Sequence, residues 1–355
     1  MRRLGILTGG GDAPGINPTI KWVVKHALDE RVADEIVGIH YGYKGLLTKD
    51  VVLLTEKNVR TWDRDGGTNL GSSRTNLFND DGIDKSEEAI GNIATLGIDK
   101  LIAIGGEDTL SAAYRLFQKG VRIVGIPKTI DKDVLGTDYT LGFATAVEEL
   151  RQLINKLRNP AGSHGIIYMV ETMGRHAGHL ALYSGMAGAA AVILIPEYDF
   201  DIHQVTERLR ERRKNGARYD IVVVAEAAKP IGKSEITADS KTCGYGHIPL
   251  GGIGALLAKE IERLTGYETR DNKPGHVQRG ERPNFYDVII GRLFGIGAVE
   301  LLKKGEFGRM ISYKDGRISD TPLEEVTHGW KLVDVERHYD TKRLTAKRTS
   351  DFSLF

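Results

Sequence analysis

The sequence contains a single cysteine, Cys243, and almost no excess of either charge. One cysteine cannot form a disulfide bond within the chain, which is typical of proteins from a reducing compartment. Lysine and arginine number 49 against 48 aspartates and glutamates, so the formal net charge of +1 provides no overall attraction for nucleic acid or acidic membranes. Any anion that the protein binds must therefore be held by a local site.

Long hydrophobic runs are also missing. Arg2 and Arg3 precede an apolar stretch that stops at Gly9, too short for a signal-peptide core or a membrane span. The composition is that of an ordinary globular protein, and its 355 residues correspond to two domains or to one large domain. We therefore expect a cytoplasmic protein that binds neither nucleic acid nor a membrane.

Glycine, by contrast, is abundant, with 43 residues in 355, whereas average usage is about 7%. Short apolar segments rich in β-branched residues, most of them followed by Gly, Pro or an acid, are typical of buried parallel strands. The predicted strands span residues 4–8, 100–104, 121–126, 165–170, 190–195 and 219–225. Helical patterns such as those at 17–29 and 109–119 lie between them, and this alternation predicts an α/β fold.

Two glycine-rich turns each follow a predicted strand and precede a predicted helix. The segments TGGGDAPG at 8–15 and IGGEDT at 104–109 place backbone N–H groups and a helix N-terminus beyond the strand, an arrangement suited to phosphate. The first turn matches neither the dinucleotide nor the P-loop signature. Glu107 with Asp12 or Asp108 beside a phosphate indicates Mg²⁺. The alternatives are a tight structural turn in the first segment and helix N-capping in the second.

The segment PKTIDKD at 127–133 places Asp131 and Asp133 two residues apart, on one face of an extended chain. One acid can accept a proton from an attacking hydroxyl group while the other helps to hold the metal. Lys128 can neutralise a transferred phosphate. A solvated loop is the alternative interpretation.

Four further segments are candidates for loops or ligands. MGRH at 173–176 and GHVQRG at 275–280 each place a cation beside glycine, so they are candidate phosphate or sugar ligands, or else surface and structural residues. The polar stretch at 63–83 predicts a loop, and a loop of that length is often functional. A second polar stretch covers 229–246.

Together these segments resemble the 6-phosphofructokinase family, over roughly residues 4–325 and in the family's order. They are similar to its phosphate loop, donor loop, metal turn, catalytic segment and two sugar-phosphate contacts. The segments are GGGDAPGIN at 9–17, GGTNLGSSR at 66–74, GGEDT at 105–109, PKTID at 127–131 with GTDYT at 136–140, MGR at 173–175 and GHVQRG at 275–280.

The resemblance implies two Rossmann-like α/β domains with parallel sheets that face each other across an active-site cleft. The phosphoryl-donor domain would comprise residues 1–142 plus 278–328, and the sugar-phosphate domain residues 143–277 plus 329–355. The implied reaction is a glycolytic one, phosphoryl transfer with Mg²⁺ to the 1-hydroxyl group of fructose 6-phosphate. NAD and lipid kinases share Gly-Gly-Asp turns, but the MGR and HVQRG segments disfavour them.

The resemblance also assigns roles to individual residues. The catalytic residues would be Asp131 as general base, Arg175 at the transition state, Thr129 and Lys128. The donor would be bound by Gly10, Gly11, Arg74, Gly106, Asp108 and Thr109, with Glu107 at the metal. The sugar phosphate would be bound by Thr129, Asp131, Asp133, Met173, Gly174, Arg175, Glu226, His276, Arg279 and, from a neighbouring subunit, Arg270. A site shared between subunits implies a homodimer or homotetramer.

Asp108 and Lys128 determine the predicted donor. ATP-using members of the family have glycine at both positions, whereas pyrophosphate-using members have Asp and Lys. A carboxylate about 4 Å from the α-phosphate of a nucleotide would repel it by roughly 4 kcal/mol at an effective dielectric constant of about 20. Pyrophosphate ends one phosphate earlier and avoids that repulsion. We therefore predict reversible transfer from pyrophosphate. The alternatives are ATP as donor, another acceptor such as sedoheptulose 7-phosphate, and a non-catalytic regulatory homologue.

Two positions depart from the family pattern. The family usually has TIDND where this chain has TIDKD, so Lys132 is expected to add a cation between the two acids and to weaken Asp131 as a base. The family usually has an arginine where this chain has Ile166, so one of the two phosphate-binding arginines from the neighbouring subunit is absent. That loss would cost roughly 1.5 to 3 kcal/mol of charge-assisted hydrogen bonding, unless another cation substitutes.

Overall fold

The computed structural model describes residues 1–79, 82–235, 250–350 and 352. Cys243 and part of the polar stretch at 229–246 lie outside this description. The strands are β1 (Arg3–Thr8), β2 (Glu35–Ile39), β3 (Val51–Leu54), β4 (Lys100–Gly105), β5 (Ile123–Pro127), β6 (Ile167–Thr172), β7 (Val192–Leu194), β8 (Asp220–Ala225), β9 (Thr269–Asn272), β10 (Arg309–Lys314), β11 (Arg317–Pro322), β12 (Tyr339–Asp340) and β13 (Thr345–Ala346).

Helices connect most of these strands. The α-helices are α1 (Ile16–Asp29), α2 (Tyr43–Thr48), α3 (Ser86–Thr95), α4 (Glu107–Gln118), α5 (Phe143–His164), α6 (His179–Ala187), α7 (Ile202–Lys214), α8 (Ile253–Thr265), α9 (Phe285–Lys304) and α10 (Val335–His338). Short 3₁₀ helices span Trp62–Arg64, Gly275–Arg279 and Leu323–His328. No helix in the described ranges combines the length and apolarity needed to cross a bilayer.

The larger sheet has seven strands in the order β11-β10-β5-β4-β1-β2-β3. Its centre is parallel, whereas β2 pairs with β3 and β10 with β11 in the antiparallel sense at the two edges. Alternate residues of β1 enter different cores, because Leu4 and Ile6 belong to one buried cluster and Leu7 to another. Helices therefore cover both faces, as an α/β fold requires. The predicted sheet is confirmed, with antiparallel edges that the sequence did not indicate.

The smaller sheet has four parallel strands in the order β7-β8-β6-β9. Its strands all come from residues 167–272, between the two parts of the chain that build the larger sheet. This distribution supports the proposed division into 1–142 plus 278–328 and 143–277 plus 329–355. The boundaries themselves stay a prediction.

All six predicted strands are present, with ends that differ by a few residues, and so are the two predicted helices. The strands that were not predicted are β2, β3 and β9 to β13, and among them β9 and β11 are edge strands with polar sequences. Their sequences, TRDN and RISDTP, are polar because both strands lie at the edge of a sheet, where one side remains exposed.

Helices α1 and α9 pack closely on one face of the larger sheet because α9 presents glycine to α1. A Cβ atom at Gly295 would lie 2.7 Å from the backbone oxygen of Thr19, and one at Gly291 would lie 3.0 Å from that of Gly15. Any larger residue at these two positions would push the helices apart. The contact fixes α9 beside the first glycine-rich turn.

The buried carboxylate of Asp287, in the first turn of α9, joins the segment that leaves the larger sheet to the one that returns to it. Its Oδ1 accepts hydrogen bonds from the hydroxyl of Tyr139 and the N–H of Gly142, both at 2.8 Å. Its Oδ2 accepts from the N–H and the hydroxyl of Thr145, at 3.0 and 2.5 Å. These donors include free N–H groups at the start of α5, so Asp287 caps that helix from outside.

Replacing Asp287 with Ala would leave these buried donors without an acceptor. Because each unsatisfied buried group costs about 1 to 3 kcal/mol, we expect the free energy of unfolding to fall by at least about 3 kcal/mol. Urea denaturation monitored by circular dichroism measures the change. Asp29→Ala, at an exposed position in α1, should stay within about 0.5 kcal/mol of the unmodified protein. Equal stability of the two variants would contradict the role of Asp287.

Candidate active site

Three loops meet at the end of the larger sheet where its parallel strands have their carboxyl ends. They follow β1, β4 and β5, which lie side by side and run parallel, so their carboxyl ends point the same way. β1 lies between β4 and β2, so the strand order reverses direction there, which is where open α/β sheets bind ligands. The two glycine-rich turns and the PKTIDKD segment are thereby brought together.

Lys128 is buried beneath the first glycine-rich turn. Its Nζ donates hydrogen bonds to the backbone oxygens of Gly9, at 2.7 Å, and Gly11. The turn passes so close that a Cβ atom at Gly10, where φ is +82°, would lie 3.3 Å from this Nζ. Burial, together with a smaller contribution from the positive charge of Arg279, lowers the pKa of the Lys128 ammonium to about 7.

Arg279 reaches the same turn from the 3₁₀ helix Gly275–Arg279. Its Nη1 donates to the backbone oxygen of Asp12 at 2.9 Å, and a Cβ atom at Gly11 would lie 2.9 Å from that nitrogen. Two largely buried cations, Lys128 and Arg279, therefore lie beside half-buried backbone that leads into the start of a helix. Their mutual repulsion is relieved when an anion binds between them, so the turn is a favourable phosphate site.

Asp131 is held by one of its two carboxylate oxygens. Thr129 Oγ1 donates to Asp131 Oδ2 at 3.1 Å, and the N–H of Asp131 donates back to Thr129 Oγ1 at 3.1 Å. The other oxygen, Oδ1, is buried without a hydrogen-bond partner among the described residues. A carboxylate fixed on one side with a free oxygen on the other is suited to accept a proton from a bound hydroxyl group.

Four carboxylates line the cleft, those of Glu107, Asp108, Asp131 and Asp133. Burial raises the pKa of the Asp133 carboxyl, and the negative charge of Asp131 raises it further, with a smaller contribution from Glu107. Carboxylate oxygens are the ligands that Mg²⁺ prefers. The described residues contain no group of three or more His, Cys, Asp or Glu side chains arranged to hold a metal. This donor set fits Mg²⁺, which usually binds one or two carboxylates together with substrate phosphates and water.

The opposite wall comes from the smaller sheet. Arg175 follows β6 and has an unusual left-handed backbone, with φ of +49°. Its N–H donates to Oε1 of Glu226, which follows β8, at 3.1 Å. Its Nη1 lies 3.7 Å from Oδ2 of Asp108 on the larger sheet's side. Burial raises the pKa of Glu226 to about 7. The guanidinium of Arg175 thus spans the cleft.

The cleft encloses about 500 Å³, including open solvent. It is lined by Gly10, Gly11, Arg74, Gly106, Glu107, Asp108, Thr109, Lys128, Thr129, Asp131, Asp133, Arg175, Arg279 and Trp330. Thirteen of these fourteen residues were expected at the site from the sequence, and the structure brings them together. Trp330 was missed, because it lies in a segment without any recognisable motif.

The remaining predicted residues lie outside that lining. Met173, Gly174 and Glu226 adjoin it, and the N–H of Met173 donates to Oε1 of Gln278 at 3.1 Å. His276 is exposed. Arg270 is exposed on the edge strand β9 and forms an ion pair with Glu268 at 2.6 Å. Its predicted contribution to a neighbouring subunit stays a prediction, as do the individual roles of the lining residues.

The expectation that Lys132 places a cation between Asp131 and Asp133 is wrong, and its expected effect on Asp131 as a base stays a prediction. The backbone of Lys132 is left-handed, with φ of +58°, and its side chain leaves the cleft. The ammonium lies 3.3 Å from the hydroxyl of Tyr183, 4.5 Å from the centre of that ring and 5.1 Å from the ring of Phe143. Lys132 is not among the residues that line the cleft, whereas Asp131 and Asp133 both are. Ile166, at the other departure, is buried in the core.

Comparison with known proteins identifies relatives along nearly the whole chain. The family model described as Phosphofructokinase matches residues 3–302. The pyrophosphate–fructose 6-phosphate 1-phosphotransferase of Streptomyces coelicolor is 46% identical over 94% of this chain and 96% of that protein. The ATP-dependent 6-phosphofructokinase 3 of Bacteroides thetaiotaomicron is 42% identical over 93% of this chain and 94% of that protein.

Solved structures agree on the fold. The crystal structure of pyrophosphate-dependent phosphofructokinase from Marinobacter aquaeolei matches with a TM-score of 0.84 at 21% identity. The match covers 98% of this chain and 89% of that one. The two-domain α/β architecture is therefore shared.

The low pKa of Lys128 makes anion binding at the glycine-rich turn dependent on pH. Lys128 loses its proton as the pH rises through about 7, so we expect the affinity for sulfate, whose charge is constant in this range, to fall between pH 6 and 9. Isothermal titration calorimetry measures the affinity. Lys128→Met should bind sulfate weakly and with a flatter pH profile, while Lys57→Met, at an exposed position, should keep the original profile. An equally steep profile in Lys128→Met would contradict the assignment.

Proposed function

The chain belongs to the phosphofructokinase family, and from that membership we propose that it transfers a phosphoryl group from pyrophosphate to the 1-hydroxyl group of fructose 6-phosphate. The products are fructose 1,6-bisphosphate and inorganic phosphate. The reaction is close to reversible, because the bond broken and the bond formed differ less in energy than with ATP. ATP is the second candidate donor, since the relatives include enzymes named for each donor.

The observation that carries the choice of donor is that Asp108 and Lys128 both line the phosphate cleft. Asp108 lies next to the Gly106 turn, where the α-phosphate of a nucleotide would have to pass. Repulsion of roughly 4 kcal/mol at about 4 Å is enough to disfavour ATP by about a thousandfold. Pyrophosphate ends before Asp108, and its leaving phosphate is neutralised by Lys128 beside Gly9 and Gly11.

Asp131 is the general base in this proposal. The 1-hydroxyl group of the sugar binds at the free Oδ1, which takes its proton as the hydroxyl oxygen attacks the transferred phosphorus. The bridging P–O bond breaks at the same time, and the leaving phosphate departs into the glycine-rich turn. Thr129 holds the other oxygen of Asp131, so that Oδ1 stays aimed at the acceptor.

Charge that spreads over the moving phosphoryl group is stabilised by Arg175, which approaches it from the smaller sheet. A planar guanidinium suits this task because it can form two parallel hydrogen bonds to phosphate oxygens. The hydrogen bond from the N–H of Arg175 to the Glu226 carboxylate holds the left-handed turn that positions this side chain.

Mg²⁺ is the proposed metal, and Glu107 would hold it at the start of α4. When bound, it neutralises phosphate oxygens that would otherwise repel the four carboxylates of the cleft. Glu107 Oε1 also accepts a hydrogen bond at 2.8 Å from the hydroxyl of Ser111, one turn further along α4, so one of its carboxylate oxygens is held in place.

On the acceptor side, the 6-phosphate of the sugar is proposed to contact the MGR turn and the segment that contains His276. The bond from Met173 to Gln278 supports this arrangement, because it holds these two segments against each other. Arg270 would reach the sugar phosphate of a neighbouring subunit from its exposed edge strand, which requires a homodimer or homotetramer. Arg279 lies against Gly11 and is better placed for the donor side than for the 6-phosphate.

The donor assignment predicts a clear preference in kinetic assays. With fructose 6-phosphate and Mg²⁺, kcat/KM for pyrophosphate should exceed that for ATP by about a thousandfold. A value for ATP equal to or above that for pyrophosphate would overturn the assignment. Combining Asp108→Gly with Lys128→Gly should impair the use of pyrophosphate and allow measurable use of ATP, whereas Lys57→Met should leave both unchanged.

The role of Asp131 predicts that Asp131→Ser lowers kcat by about 10²- to 10⁴-fold, the usual contribution of a positioned general base. The affinity for fructose 6-phosphate, measured by calorimetry, should change much less, because the proton acceptor is needed for the chemical step and not for binding. Asp29→Asn serves as the matched exposed control. A kcat for Asp131→Ser above about a third of the unmodified value would rule out Asp131 as the base.

A further inference from the structure

The segment at residues 330–333, named here the C-terminal strap, lies beyond the part of the chain that the family model matches. Its first residue, Trp330, pairs by its backbone with Val134, directly after the PKTIDKD segment. Its last residue, Val333, donates its N–H to Oε1 of Glu197 at 2.8 Å. The strap therefore runs from the PKTIDKD segment, which follows the larger sheet, to the end of the smaller sheet.

Lys331 attaches the strap to both walls of the cleft. Its N–H donates to the backbone oxygen of Asp133 at 2.8 Å, and its ammonium donates to Oδ1 of Asp138 at 2.6 Å. Its own backbone oxygen lies 2.9 Å from Nε2 of His179, at the start of α6. Burial lowers the pKa of His179 to about 3, so this imidazole is neutral and Nε2 carries the proton that it donates.

These bonds hold Trp330 in the wall of the cleft, which Asp108, Asp133 and Arg175 also line. The indole packs on the ring of His176, with 4.3 Å between the ring centroids and 32° between the planes. Among the described residues of that lining it is the one aromatic side chain, and 42% of it is exposed. A large apolar ring left half exposed in a charged cleft is covered favourably when a substrate binds.

We propose that Trp330 is a substrate-contacting residue, whose indole covers the sugar phosphate at the reacting centre and excludes water from it. This inference rests on the proposed phosphoryl transfer. Water competes with the 1-hydroxyl group as acceptor: its oxygen attacks phosphorus, Asp131 takes its proton, the bridging P–O bond breaks and two phosphates result. Covering the reacting centre suppresses that hydrolysis.

The first experiment compares transfer with hydrolysis in the full-length protein. Fructose 1,6-bisphosphate formation and total phosphate release are measured from pyrophosphate and Mg²⁺, with and without fructose 6-phosphate. In Trp330→Ala, the ratio of hydrolysis to transfer should rise at least about tenfold and KM for fructose 6-phosphate should increase. Trp330→Phe should keep the ratio of hydrolysis to transfer and the KM close to those of the unmodified protein, because an aromatic ring remains. Leu332→Ala, an exposed neighbour in the strap, should behave as the unmodified protein.

A ratio and a KM in Trp330→Ala that equal the unmodified values would overturn the inference. If the Ala variant does not fold, a fluorescence measurement on the Phe variant tests whether Trp330 contacts the substrate. The chain has three tryptophans, all of which contribute to its fluorescence. If Trp330 contacts the sugar, fructose 6-phosphate should change the emission of the unmodified protein. This change should be lost in Trp330→Phe. A change of equal size in Trp330→Phe would show that Trp330 does not contact the sugar.

The two hypotheses fail in distinguishable ways. An unmodified protein that transfers nothing from pyrophosphate to fructose 6-phosphate contradicts the proposed function, whatever the behaviour of the variants. Normal transfer with an unchanged ratio in Trp330→Ala, and with a fluorescence change that persists in Trp330→Phe, contradicts only the role of Trp330.

Discussion

The buried carboxylate of Asp287 is the interaction on which the arrangement of the two sheets depends. It accepts hydrogen bonds from Tyr139, Gly142 and Thr145, at the point where the chain leaves the larger sheet. It belongs to α9, the helix by which the chain returns. Both crossings are thereby joined through one side chain. Because α9 also packs tightly on α1, the starts of α1 and α5 are held in a fixed relation at the cleft.

The cleft concentrates charges that would repel one another without ligands. Lys128 and Arg279 lie together at the first glycine-rich turn, and four carboxylates line the same cleft. The consequences are visible in the protonation equilibria, since the pKa of Lys128 is lowered to about 7 and that of Asp133 is raised, in both cases chiefly by burial. Phosphate groups and a divalent cation relieve both repulsions, so binding and charge neutralisation reinforce each other.

The departure from the family pattern at Lys132 is accommodated by the fold. A lysine between two proposed catalytic acids would be expected to change their chemistry, but its ammonium lies against the rings of Tyr183 and Phe143 instead. Interaction of the ammonium with two aromatic rings offsets part of the cost of burial. The contact also ties the catalytic loop to α6 of the smaller sheet, as the C-terminal strap does through Lys331 and His179.

The sequence by itself determined the α/β class, six of the buried strands and the turns that line the cleft. This was possible because buried strands require continuous apolar segments, and because glycine-rich turns and closely spaced acids are local patterns. It did not indicate β2, β3 and β10 of the larger sheet, nor the edge strands β9 and β11, whose polar residues reflect their exposure. Only the tertiary structure decided that Arg175 approaches Asp108, that Lys132 leaves the cleft and that Trp330 enters it. Each of these depends on contacts between residues far apart in the chain, such as 133 and 331, and such contacts are set by the packing of whole helices and sheets.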